Sequence, residues 1–393
     1  MDRLIFHIDV NNAFLSWSAV DMLRNGFKKD IRDEVSVIGG DEDMRHGVVL
    51  AKSNPAKKYG IKTAESLYSA RRKYKNLKVY KPNHGIYKKF SDELYDYFTN
   101  FSPRIERYSI DECFLDMSGM NYFIKDPVSF ANDIREYIKN NFGFTVNIGI
   151  GNNKLCAKVA SDFEKPDKTH TLFDYEIESK LWPLDVSNLF MVGRRTSLKL
   201  KKMNINTVFD LAHTPLETLI REFKSYGNTL HEFSNGIDNS EVVDVKQELK
   251  GIGNSLTYPK DIETMDEIKI KLIELSGMVG RRIRREKKYA YTETLYIKYS
   301  DFTTLTHQKK LKNPISTDDE ILKCAKELLK DIEIKPIRSM GIRLNNLTTK
   351  KNEQLSIFDT DDKKTIKNDE LQLTLDKLKE KYGENIVKKA SNK

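Results

Sequence analysis

The pentapeptide Tyr108-Ser109-Ile110-Asp111-Glu112 sets two adjacent carboxylates where an apolar strand should be ending. Ile105 and Ile110 flank one side, and Cys113, Phe114 and Leu115 flank the other. Two ionised carboxylates in such surroundings repel each other and lose hydration, and a divalent cation removes both penalties. A second strand-like run, Leu4-Ile5-Phe6-His7-Ile8, ends in the same way on Asp9. Asp9, Asp111 and Glu112 therefore read as one acidic cluster assembled from two strands, suited to holding Mg²⁺ against a phosphate. The plainer reading is that each acid is only a turn residue at a strand end.

The elements that must carry these acids follow from hydrophobic period. Residues 4 to 8 form a strand and 13 to 23 a helix. After a polar stretch with Gly39-Gly40, residues 48 to 51 read as a strand, and 52 to 75 as short basic helices. Val79-Tyr80 begins another strand. Residues 86 to 101 are helical, with Tyr87, Phe90, Leu94, Tyr97 and Phe98 on one side. Residues 105 to 117 form the acidic hairpin, 127 to 141 a helix and 145 to 150 a strand. The sum is a β-α-β-β-α-β core with a basic insertion after its first strand, an α+β arrangement.

Beyond residue 166 the character changes to short helices punctuated by glycine. Met191-Val192-Gly193-Arg194, followed by Leu198, Leu200 and the turn Met203-Asn204-Ile205, reads either as a helix-hairpin-helix or as an ordinary pair of helices. In the first case, backbone N–H groups at the helix start grip a DNA phosphate without reading sequence. Residues 237 to 247 are polar and read as a linker. A helix from about 265 to 286, a strand from 290 to 299 and a helix from 318 to 329 then form a separate α/β unit. Its densest charge, Arg281-Arg282-Ile283-Arg284-Arg285-Glu286-Lys287-Lys288, is either a solvated face or the cationic rim of a sheet that meets a nucleic-acid backbone. Past residue 350 the chain is Lys-, Asp- and Asn-rich. There Gln354-Leu355-Ser356-Ile357-Phe358 exposes apolar side chains that either fold back or dock as an extended peptide on a partner. Leu371, Leu375, Leu378, Tyr382 and Ile386 fall on one helical face.

Composition bounds these readings. The 393 residues allow two to four domains. The formal charge of +9 favours nucleic acid as a partner, with an anionic membrane surface as the weaker alternative. Cys113, Cys156 and Cys324 are far apart and include no CxxC pair, which argues against a disulfide framework or a zinc site. No apolar run approaches the roughly 18 residues of a membrane span, so a cytoplasmic protein is expected.

Taken in order along the chain, these features resemble the Y-family DNA polymerases, the low-fidelity lesion-bypass enzymes, in their bacterial DinB/UmuC-like branch. The likeness rests on the strand ending at Asp9, on Ser53-Asn54-Pro55-Ala56-Lys57-Lys58-Tyr59-Gly60-Ile61-Lys62, and on Tyr108 to Glu112. It continues through Gly149-Ile150-Gly151-Asn152-Asn153-Lys154-Leu155-Cys156-Ala157-Lys158, Lys165-Pro166, Lys298-Tyr299-Ser300-Asp301-Phe302 and Gly341-Ile342-Arg343-Leu344.

The resemblance implies a right-hand polymerase. Palm would be 1–16 and 78–166, fingers 17–77, helix-hairpin-helix thumb 167–236, linker 237–247, little finger 248–350 and tail 351–393. It also implies two Mg²⁺ ions held by Asp9, Asp111, Glu112 and the Val10 carbonyl, and template-directed addition of dNTPs to a primer 3′-hydroxyl. Phe14 falls at the steric gate against ribonucleotides, where an ordinary core role is the alternative. Asn54, Lys57 and Lys165 fall at dNTP-binding positions, although Asn54 and Lys57 stand where the family often has Tyr and Arg, and a lysine cannot reproduce a two-pronged guanidinium contact. Lys154, Lys158, Gly193, Arg194, Arg281, Arg282, Arg284 and Arg285 are the expected DNA contacts. Gln354, Leu355, Ser356, Ile357 and Phe358 resemble the peptide that docks on the bacterial β sliding clamp. The expected partners are primer–template DNA, dNTP and that clamp, with no membrane, and the chain is expected to act as a monomer. Two other classes remain in view at this point: a catalytically inactive DNA-binding adaptor, and a metal-dependent nuclease using the same acids.

Overall fold

A computed structural model describes residues 3–41, 47–120, 124–243, 248–330, 332–333 and 335–350, with 371–372, 374–378, 381–383 and 386 beyond them. The chain divides near Lys246 into two compact units.

The first unit begins with β1 (Ile5–Val10), every residue of which is buried. There follow α1 (Ala13–Arg24), β2 (Ser36–Gly39), β3 (Val49–Lys52), α2 (Asn54–Lys58), α3 (Leu67–Lys73), β4 (Lys78–Tyr80) and α4 (His84–Phe98). Then come β5 (Ile105–Arg107), β6 (Glu112–Asp116), α5 (Pro127–Phe142), β7 (Val146–Gly151), α6 (Lys154–Asp162) and β8 (Thr169–Leu172). β1 is the middle of a five-stranded sheet ordered β5-β6-β1-β7-β8. Because side chains alternate along a strand, one face of this sheet takes Phe6, Ile8, Val10, Cys113, Leu115, Val146, Ile148 and Ile150 into a core with Trp17, Tyr87, Phe90, Ile134 and Ile138.

The opposite face is built in rows. Glu112, Asp9 and Asn147 pair across β6, β1 and β7, and Phe114, His7 and Gly149 form the next row. Asp116, Ile5 and Gly151 form the third. Helix α6 lies against these rows, and the glycines are what let it. A Cβ on Gly149 would overlap the Ala157 carbonyl, and one on Gly151 would stand 2.7 Å from the Cys156 Cβ. α6 starts on Asn153, whose side chain accepts the Cys156 N–H at 2.8 Å. The close approach puts the lysines of α6 beside the sheet's acids.

β4 and β8 depart from the boundaries expected above. Lys78–Tyr80, grouped with the palm from sequence, pairs in parallel with β2 in a three-stranded sheet, β3-β2-β4. Thr169–Leu172, grouped with the thumb, pairs in parallel with β7 and completes the five-stranded sheet. Four helices close the unit: α7 (Arg194–Lys202), α8 (Val208–Ala212), α9 (Leu216–Phe223) and α10 (Tyr226–Ser234). They share a core of Leu181, Val186, Val192, Leu200, Val208 and Leu219. The first part of the expected linker is anchored rather than free. Val242 is buried with Ile5, Phe114 and Ala157, and the Val243 N–H donates to Glu106 at 3.1 Å.

The second unit is a four-stranded antiparallel sheet with two helices on one face. Its elements are β9 (Gly251–Ile262), α11 (Met265–Arg285), β10 (Tyr289–Tyr299), β11 (Thr304–Ile315), α12 (Asp318–Leu329) and β12 (Ile337–Thr348), and the strand order is β11-β10-β12-β9. Both helices start on capping boxes, Thr264 with Glu267 and Thr317 with Glu320. The stripe Ile268, Leu272, Leu275, Val279 and Ile283 packs on Leu295, Ile297, Met340 and Ile342. The other sheet face carries Thr294, Gln308 and Arg343 in one row and Lys298, Thr304 and Ser339 in another. In the tail, Leu371, Leu378, Tyr382 and Ile386 are exposed, while Gln372 is buried. The apolar stripe expected there is therefore not the packed face. No described helix is long and apolar enough to cross a membrane.

Candidate active site

A cleft in the first unit is lined by Asp9, Val10, Asn11, Phe14, Lys52, Asn54, Lys57, Asp111 and Lys165, among others. Seven of the expected site residues thus meet at one place, although they come from four separate stretches of chain. The hairpin is tight: the Tyr108 and Ser109 N–H groups donate to the Glu112 carbonyl at 3.0 and 3.1 Å. The Val10 N–H donates to the Asp111 carbonyl at 3.1 Å, which ties the acidic loop to the end of β1.

Each acid has a resident partner. Asp9 is buried and pairs with Lys165. Burial pushes its carboxyl up to about 6, against the pull of the Lys165 ammonium. Glu112 pairs with Lys158 at 2.6 Å. The Ser109 hydroxyl donates to Asp111 at 2.6 Å. The same hydroxyl lies 3.3 Å from Glu112, so it links the two acids of the hairpin, although among the described residues no three ligating side chains converge as a metal cluster. The donor chemistry still suits a hard cation. Directly opposed strand residues have Cβ atoms about 5 Å apart, so the Asp9 and Glu112 carboxylates are within reach of a common ion.

Two asparagines below the cleft fix the segment that carries Lys165. The Asn11 amide donates to Asn147 Oδ1 at 3.0 Å, and Asn11 Oδ1 accepts the Asp167 N–H at 2.8 Å. Asn147, fully buried, donates to the Glu164 carbonyl at 2.6 Å and to the Ser161 carbonyl at 3.0 Å. Lys165 is thus bracketed on both sides by bonds to β1 and β7. Neither asparagine was singled out from sequence. The usable signal was the alternation of Val146, Ile148 and Ile150 with Asn147, Gly149 and Gly151, which marks a second, close-packed face.

Phe14 is half-buried in the cleft wall. Its ring stacks on Tyr87 at 4.5 Å between centroids and 6° between planes, a rigid backing for a side chain in the cleft wall. Asn54 opens α2, whose cap is Ser53 accepting the Ala56 N–H at 3.1 Å. Gly193 caps α7, with open space on its Cα and Arg194 exposed beside it.

Several expected DNA contacts are committed elsewhere. Lys154 holds Glu106 at 2.7 Å and Lys158 holds Glu112, so both lysines act inside the fold. Arg284 is turned inward, with its side chain 7% exposed between Asp318 and Asp376 at 2.9 and 2.7 Å. Arg282 donates to the Gly253 carbonyl at 2.6 Å but remains exposed, as does Arg285, while Arg281 is half-buried. Gln354 to Phe358 lie outside the described residues.

Residues 8–162 match the impB/mucB/samB family, 249–357 its C-terminal domain, and 187–238 a DNA polymerase-iota thumb domain. The DNA polymerase IV of Clostridium acetobutylicum is 45% identical over 98% of this chain and 97% of its own length. That of Acetivibrio thermocellus is 37% identical over 98% and 96%. The chain belongs to the Y-family DNA polymerases. A solved Y-family DNA polymerase chimera shares the fold, with a TM-score of 0.77 at 20% identity over 88% of this chain and all of its own. The architecture is accordingly a right-hand polymerase with a helical thumb and a C-terminal sheet domain, and the chain is a DNA-directed DNA polymerase of the translesion class.

Proposed function

We propose that the cleft performs template-directed addition of a dNTP to a primer 3′-hydroxyl during bypass of damaged template. The observation that carries this reading is the meeting of Asp9, Asp111, Phe14, Lys57 and Lys165 in one cleft. Asp9, Asp111, Glu112 and the Val10 carbonyl would hold two Mg²⁺ ions, which when bound supply charge neutralisation at the phosphates and a more acidic 3′-hydroxyl. Lys165 would turn from Asp9 to the triphosphate, and Lys158 would hold Glu112 in position. Phe14, braced by Tyr87, would close the space a 2′-hydroxyl needs, while Asn54 and Lys57 face the same nucleotide.

In this reading the five-stranded sheet is the palm, so β8 belongs with it, and the three-stranded sheet including β4 belongs to the fingers. The α7 N-terminus at Gly193 and Arg194 grips a DNA phosphate, and the open sheet face of the second unit, with exposed Arg282 and Arg285 on its helix α11, follows the duplex backbone. Residues 354–358 would recruit this cytoplasmic monomer to the sliding clamp and raise its local concentration at the primer end.

Primer extension with single dNTPs and Mg²⁺ tests the assignment. Asp111→Ala is expected to lower the rate by at least about 1,000-fold, a loss typical of removing charge stabilisation at the reacting phosphate, with primer–template affinity unchanged. Extension at near wild-type rate in that variant would sink the assignment.

A further inference from the structure

Lys52, the last residue of β3, reaches the cleft from the wall opposite the acids. Its ammonium donates to the Thr63 hydroxyl at 3.2 Å, a neutral partner. Among the described residues no carboxylate forms an ion pair with it or with Lys57, the second cation on that wall. Among the described residues the acid in its field is Glu65, which pairs with Lys73 at 2.6 Å. Burial and the Lys57 charge together pull the Lys52 ammonium below its ordinary value. Two cations share one wall, and one is partly desolvated with no ion-pair partner among the described residues. That arrangement is unfavourable for the free protein and becomes favourable when a polyanion enters. Every other lysine in the cleft region has its acid: Lys165 has Asp9 and Asp162, and Lys158 has Glu112.

We infer that Lys52 is a binding residue for the triphosphate of the incoming nucleotide, acting with Lys57 as two point charges where one guanidinium fork would serve. The inference rests on the nucleotide-site reading above. It also accounts for the chain's use of a lysine at position 57. A lone ammonium lacks the paired donors of a guanidinium, and a second ammonium one turn of chain away restores a two-centre contact on phosphate oxygens. Asn54, neutral and one helical turn before Lys57, leaves room for this second charge.

The first test uses the unmodified chain, without DNA or metal. Acetylation of lysines by an amine-reactive ester is followed residue by residue in the presence and absence of inorganic triphosphate. Lys52 and Lys57 are expected to be protected about tenfold at saturation, while exposed lysines of the second unit such as Lys310 continue to react. Protection of Lys57 with none at Lys52 overturns the inference.

The second test is single-nucleotide incorporation. Lys52→Met is expected to raise the apparent dNTP dissociation constant about tenfold, the loss of one charge-assisted contact, and to flatten its salt dependence. Lys52→Arg is expected to keep the wild-type affinity, which a purely structural role for a strand-end lysine does not predict. An unchanged dNTP constant in a folded Lys52→Met removes the inference and leaves the catalytic reading standing. Full extension by Asp111→Ala would instead remove the catalytic reading itself.

Discussion

Asp9 in the first unit and Glu293 in the second are both buried strand acids whose carboxyls are pushed up by loss of water, yet the two sites are built for opposite ends. Asp9 lines a cleft and has a lysine against it, and it rises only to about 6. Glu293 is fully buried on β10 and rises to about 8, with only the Cys324 thiol among the described residues beside it to offset the loss of water. Ion pairs divide in the same way. Those of Asp9 and Glu112 lie at or beside an open cleft, where a cation can displace a lysine. The Arg284 pair with Asp318 and Asp376 is closed inside the helical layer. A charge beside an open cleft is free to exchange its partner for an arriving ligand, whereas a charge that only joins elements can be sealed.

The sharpest way to break this contrast is to open the sealed pair. Arg284→Met removes the cation that lies between Asp318 and Asp376. Loss of a single partner from a buried pair costs about 3–5 kcal/mol, most of it the stranded charge. Denaturation of the intact chain is expected to show that loss in the second unit, with hydrogen exchange accelerating in α11 and α12 and not in β1 or β7. A loss below about 1 kcal/mol would place this pair with ordinary surface ion pairs.

Glu293 offers a pH-dependent contrast of the next size. Its folded pKa lies above its unfolded one, so the folded chain keeps a proton that the unfolded chain releases. Stability from this group is complete below about pH 4.5 and is lost as pH rises towards about 8, by on the order of 5 kcal/mol in all. Glu293→Met should remove that slope, leaving the variant more stable than wild type at pH 8. Matching slopes for the two proteins across that range would mean that Glu293 finds a partner in solution.

Arg284 and Glu293 also mark where the sequence stopped being legible. The second helix of that unit was read at the bounds it has, Asp318–Leu329, because its apolar period and capping box are local signals. Arg284 sits among six cations in eight positions, and nothing local says which of them turns inward. The cue was Gly280, one turn earlier on α11, where any Cβ would strike the Asp318 carboxylate. Strands β2 and β8 were missed because each has four residues and takes its stability from distant neighbours, and the twelve-residue β9, β11 and β12 were missed because their many polar and exposed residues blur the apolar alternation. The acids, Phe14 and Lys165 were legible from motif and order. Their partners were not, since the pairing of Glu112 with Lys158 depends on α6 approaching Gly149 and Gly151, a contact that spacing alone does not encode.

The smallest expected effect tests whether the cleft's exchangeable pair is itself positioned. Asn11 and Asn147 hold the backbone on both sides of Lys165, so Asn11→Ala should loosen that lysine without removing it. One or two neutral hydrogen bonds correspond to about 1 kcal/mol, or about a fivefold rise in the dNTP dissociation constant. In a Lys165→Ala background the same substitution should add almost nothing, because its effect passes through the missing ammonium. Equal effects in both backgrounds would show that the asparagines serve the sheet in general, and the cleft's open ion pair would then need no dedicated support.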